Sequence, residues 1–177
     1  TITSTSAGAK TLTASYGGDG VYDPGSTTAS HTVNKASPGV TISSDASDPS
    51  TYATSYTVEV SVTGPGVTPT GTVSLNDGDG NISTITLSGG TGSATMTPVS
   101  AGSKTLTASY GGDANYPTGS DTEAHTVDKA TPTVAITSDD PDWNNVHVSV
   151  PVTFTVTPPN GGTPTGTVTV RDETGIT

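Results

Sequence analysis

The chain contains no cysteine. Disulfides, cysteine-bound zinc and thiol nucleophiles are excluded together. An extracellular location stays open, because an oxidising compartment permits disulfides without demanding them. Basic residues are nearly as scarce: five lysines and arginines face 16 acids, for a net charge of −11. The basic stripe of a nucleic-acid-binding surface is missing, and an anionic membrane would repel the chain. No apolar run approaches the ~20 residues of a membrane-spanning helix. Aromatic residues make up 5% of the chain and apolar residues 29%, while threonine exceeds a fifth. Few apolar residues with much negative charge is also the composition of disorder. Here the apolar residues alternate along β-rich runs and no stretch has helical periodicity, the pattern of half-buried strands. The expected fold is all-β, each domain burying one narrow layer between two sheets.

What the chain does have is a repeat. Lys10-Thr-Leu-Thr-Ala-Ser-Tyr-Gly-Gly-Asp19 returns letter for letter from Lys104 to Asp113, a period of 94 residues. A period of this size marks a tandem array. Residues 1–33 read as the C-terminal half of one repeat, 34–127 as a complete repeat, and 128–177 as the N-terminal half of the next. Asn34-Lys-Ala-Ser-Pro38 matches Asp128-Lys-Ala-Thr-Pro132. Pro69-Thr-Gly-Thr-Val73 matches Pro164-Thr-Gly-Thr-Val168, with an extra glycine in Asn160-Gly-Gly162 shifting the offset to 95. The chain thus opens and closes in mid-repeat, as an excerpt of a longer array would.

The complete repeat predicts seven short strands, at about 39–43, 53–63, 70–76, 82–87, 93–97, 104–110 and 121–127. The second is the cleanest: Tyr56, Val58, Val60 and Val62 alternate with outward Thr57, Glu59 and Ser61. Val40, Ile42, Val73, Leu75, Ala94, Met96, Leu106, Ala108 and Tyr110 extend the expected core. Gly- and Pro-rich turns between strands at this spacing suggest a sandwich.

The Pro-Thr-Gly-Thr-Val strand, a Gly-rich turn, and the run Ala-Gly-Ser-Lys-Thr-Leu-Thr-Ala-Ser-Tyr-Gly-Gly-Asp-Ala-Asn-Tyr (residues 101–116) resemble the bacterial Ig-like repeat domains. The resemblance covers essentially the whole chain. It implies tandem Ig-like β-sandwich domains of about seven antiparallel strands each, stacked end to end. It also implies large secreted or surface proteins in which such domains serve mostly as spacers, stalks and fibre units.

The junction Asn34-Lys-Ala-Ser-Pro38 is too short, and too stiff at Pro38, for a flexible linker. Successive domains are expected to stack with limited bending, rising about 40 Å per domain. In an Ig-type sandwich the first and third loops face the next domain. Here they carry Asp45, Asp48, Asp77 and Asp79 in one copy and Asp139, Asp140, Asp142, Asp172 and Glu173 in the other. Asp113 of the following domain is expected to meet this acidic pole. Asp45, Asp48, Asp77 and Asp79 are the candidate calcium ligands at the inter-domain junction, since hard cations gather carboxylate oxygens. The bland alternative is solvated turns, where Asp and Gly are favoured by geometry.

Enzymatic chemistry is little in evidence. His31 and His125 share one repeat position on the last strand, read as an exposed slot. His147 lacks a nucleophile elbow, and no His/Cys set has metal spacing. No catalytic residue and no required cofactor is expected. Tyr16 and Tyr110 read as core or corner residues, and Tyr22 and Tyr116 as pins of the adjoining loop. Trp143, aligned with Pro49, is a candidate contact with another domain or chain or a cap on its own core. Asn81-Ile-Ser83 is a candidate glycosylation sequon.

The functional expectation is a non-catalytic, extracellular or cell-surface structural repeat: a rigid spacer or filament unit of a fibre or adhesin stalk. Its partners would be neighbouring copies of the same repeat and glycans, with no nucleic acid and no membrane insertion. The alternative is a carbohydrate- or protein-binding accessory module of a secreted enzyme or adhesin, reading through Trp143. Residues 128–177 of one chain could also be completed by residues 1–33 of a neighbour, by strand complementation.

Overall fold

The computed structural model describes residues 1–139 and 149–172, and among them every regular element is a strand. β1 (Gly8–Tyr16) and β2 (Gly25–Val33) form an antiparallel hairpin. Eight strands then build a sandwich. They are β3 (Gly39–Ala46), β4 (Ser50–Thr51), β5 (Tyr56–Thr63), β6 (Thr72–Asn76), β7 (Ile82–Thr86), β8 (Thr91–Met96), β9 (Gly102–Tyr110) and β10 (Gly119–Asp128). A last antiparallel pair joins β11 (Thr133–Ser138) to β12 (Thr153–Thr157).

The sandwich has one sheet in the order β3-β5-β8 and a facing sheet in the order β4-β10-β9-β6-β7. Alternation dictates what lies between them. Tyr56, Val58, Val60 and Val62 of β5 are buried, and Val73, Leu75, Leu106, Ala108 and Tyr110 meet them from the other sheet. Ile42, Ile85, Leu87 and Met96 close the layer, while Val40 and Ala94 pack at its margin. Fully burying one such aliphatic side chain is worth roughly 1.5–3 kcal/mol.

All seven strands expected from the sequence are present within a few residues. The eighth, β4, was not expected. It follows the end of β3, whose register with β5 slips between Ile42 and Ser44 and whose pairing stops at Ala46. Ser47 then takes a φ of 76°, and the chain crosses to the opposite sheet. There Ser50 and Thr51 pair parallel with Val127 and Asp128 of β10. Two residues leave no periodicity to read.

The flanking hairpin β1–β2 repeats β9–β10 in sequence and in register. Its surroundings differ. Leu12 and Tyr16 are 38% and 49% exposed, where their counterparts Leu106 and Tyr110 are at most 1% exposed. Val134, Ile136 and Phe154 of the β11–β12 pair are likewise bare.

Candidate functional site

Three elements converge at one end of the sandwich. The slipped end of β3 brings Asp45, the crossover brings Asp48, and β4 brings Ser50, all around His125 of β10. His125 is buried at 1% exposure, which corrects the expectation of a surface histidine. Val127, two residues on, is buried too, so the inward face of β10 is the one that carries both. That apolar neighbour was the available clue. Burial of the imidazole is tolerable because every polar atom is bonded. Nε2 lies 2.8 Å from Ser50 Oγ, Nδ1 lies 3.1 Å from Asp45 Oδ2, and Asp48 Oδ1 is 3.7 Å from Nδ1. The ring stacks on Tyr56 with centroids 4.1 Å apart and planes 9° from parallel. Asp48 Oδ1 also accepts the Thr126 N–H at 2.8 Å.

Ser50, His125 and Asp45 have the connectivity of a nucleophile, its base and an orienting acid. Ser50 is 4% exposed, however, and a hydroxyl so enclosed admits no substrate carbonyl. The side open to solvent is that of the carboxylates.

The other two candidate calcium ligands have separate employment. Asp77 is 1% exposed and organises its own turn. Its carboxylate accepts the N–H groups of Asp79 and Asn81 at 2.9 and 3.1 Å and the Asn81 side-chain amide at 2.6 Å. Asp79 pairs with Lys104 Nζ at 3.1 Å and accepts from Ser100 Oγ at 2.8 Å, the latter being the main reason its carboxyl sits below the usual range. Lys104 is the cross-strand partner of His125, so both acid pairs share one end of the sheet. The Asn81 amide nitrogen, where a glycan would attach, donates to Asp77 and to the Thr97 carbonyl. Trp143 lies outside the described residues, as do Asp140, Asp142, His147 and Glu173.

At the opposite end Asp113 lies in the loop that meets the junction with the preceding copy, where it organises its own turn. Its carboxylate accepts the N–H groups of Thr70, Asn115 and Tyr116 at 2.7–2.9 Å. Desolvation pushes its pKa up, but these donors outweigh it and hold the group at about 2. The pattern is local: in the first copy Asp19 accepts from the N–H groups of Val21 and Tyr22. Tyr110 closes the same corner by donating to the Thr70 carbonyl at 2.7 Å. Tyr116 pins its loop as expected, its single O–H proton shared between the carbonyls of Pro65 and Val67.

Polar contacts run beyond the sandwich at both ends. Ala7 N–H donates to Asn115 Oδ1 at 3.0 Å, and Ala36 N–H to the Asn115 carbonyl at 2.9 Å. Lys35 Nζ donates to the Asp113 carbonyl at 2.5 Å. At the far end the Asn160 amide reaches Thr54 Oγ1 at 2.9 Å and the Tyr52 carbonyl at 3.3 Å.

Two facing sheets, a tyrosine-closed corner and a strand that changes sheet define an Ig-like β-sandwich. Residues 42–130 match the family Bacterial Ig-like domain (group 3), and the chain belongs to that family. No curated protein matches the sequence. Domains of this family are generally non-catalytic and typically occur in surface or secreted proteins.

Proposed function

We propose that the chain is a structural repeat of an extracellular fibre or surface adhesin stalk, a rigid spacer or filament unit whose partners are neighbouring copies of itself. One observation carries the reading. The side chains that face the core in the complete sandwich are the ones left bare in β1–β2: Leu12 and Tyr16 against Leu106 and Tyr110. An isolated two-stranded hairpin is marginal in water, so β1–β2 needs a facing sheet, and a sheet like β3-β5-β8 has the matching shape. Residues 128–177 carry the counterparts of β3 and β5, two of that sheet's three strands. A 94-residue sequence repeat suits an array of identical units.

The bonds at both ends of the sandwich support limited bending between units, and the small, polar, threonine-rich exterior suits a passive shaft. The test is electron microscopy of the native material. The expected image is a rod with an axial repeat of about 40 Å, the rise set by strand length. Compact isolated particles would overturn the reading.

A further inference from the structure

The acidic end of the sandwich holds more than a buried, hydrogen-bonded histidine. We propose that Asp45, Asp48 and His125 form a binding site for a first-row divalent cation of the zinc class. One ligand atom from each residue lies within 4.8 Å of the other two. Metal–ligand bonds of about 2.0–2.2 Å require tetrahedral ligand–ligand edges of about 3.3–3.6 Å. The His125 Nδ1 separations of 3.1 Å to Asp45 and 3.7 Å to Asp48 bracket that range. Small side-chain rotations would therefore admit the ion.

The surroundings have the form such a site needs. Ser50 Oγ faces Nε2 and can accept an N–H hydrogen bond there, which supports the tautomer with a free Nδ1 lone pair once a metal replaces the proton that Nδ1 shares with Asp45. On loading, the neutral ring keeps its one proton on Nε2: an Nδ1–H tautomer transfers that proton to Nε2 through solvent, and an imidazolium releases its Nδ1 proton to solvent. Tyr56 clamps the ring from one face. Asp45 and Asp48 keep 22% and 40% of their side-chain surface exposed, giving the ion a path in and room for water at the remaining position.

The donor set selects the metal. Calcium prefers six to eight oxygens, whereas one imidazole with two carboxylates suits zinc, cobalt or copper. The other copies repeat the residue types in sequence, with Asp139 and Asp142 at the positions of Asp45 and Asp48 and His31 at that of His125. The ion would tie the end of β3, the crossover and β10 together. This inference stands whether or not the chain belongs to a fibre.

The test uses the full chain, stripped with chelator and titrated with cobalt(II), then with zinc in competition. One equivalent of cobalt should raise a saturable visible absorption band that zinc abolishes. Zinc in excess should raise the midpoint of thermal unfolding by about 5 °C or more. Asp45→Asn and Asp48→Asn should each weaken binding at least tenfold, and asparagine at 48 keeps an oxygen for the Thr126 N–H. His31→Ala should change nothing. The proposal is overturned if no saturable band appears, if the Asp45→Asn/Asp48→Asn double variant binds as tightly as the native chain, or if calcium stabilises the protein and zinc does not.

Discussion

At the scale of single residues, three buried tyrosines make opposite demands. Tyr110 and Tyr116 donate their hydroxyls to the backbone carbonyls of Thr70 and Pro65. Tyr56 is just as buried, yet its hydroxyl meets no hydrogen-bond partner among the described residues. A satisfied buried hydrogen bond contributes about 1 kcal/mol, whereas an unsatisfied polar atom costs at least as much. Tyr110→Phe and Tyr116→Phe should therefore each lower stability by about 1 kcal/mol in urea denaturation. Tyr56→Phe should leave it unchanged or raise it; a clear loss there would mean the hydroxyl is bonded after all.

Asp113 gives the same end of the molecule a pH dependence. An unfolded aspartate titrates near 3.8 and this one at about 2, so its stabilisation is present above the unfolded value. It is lost as pH falls through about 2, because only the ionised carboxylate accepts all its donors. Circular dichroism at constant temperature should show stability falling between about pH 4 and 2, and falling less in Asp113→Asn. Parallel acid profiles would remove Asp113 from the account.

At the scale of elements, identical strands have different worth. β1 and β9 share the run Lys-Thr-Leu-Thr-Ala-Ser-Tyr, yet only β9 faces a second sheet. Leu106→Ala should cost 2–5 kcal/mol, the usual range for a large core truncation. Leu12→Ala in the same chain should cost a small fraction of that. Equal losses would mean that the hairpin is covered in solution. This contrast also shows what the sequence could disclose. Period two located the strands and named their inward residues, because burial on one face leaves a mark every second position. It failed at β4, which is too short to alternate, and at His125, where a polar side chain occupies an inward position. Nothing in the local pattern says that Asp45, Asp48 and Ser50 will surround that ring. Their meeting depends on β3 slipping by a residue and on the chain then changing sheets, which is tertiary information.

At the scale of the whole molecule, the proposed stiffness resides in few bonds. Lys35 and Ala36 fasten the linker to the loop of Asp113 and Asn115, and Pro38 restricts the chain just beyond. The Asn115 side chain adds a bond to Ala7 of the preceding copy, at the position that Ala101 holds in the sandwich. None of these atoms belongs to the core, so bending should be separable from folding. Three copies of residues 34–127 joined head to tail should show a maximum dimension of about 120 Å by small-angle scattering, three rises of about 40 Å. Asn115→Ala combined with Pro38→Gly in each copy turns the linker toward a flexible coil. The mean dimension should then shorten and its distribution broaden, while the thermal midpoint moves little. If the unmodified triple already scatters as a flexible string, the bonds around Asn115 do not set the joint and a rigid spacer is the wrong description.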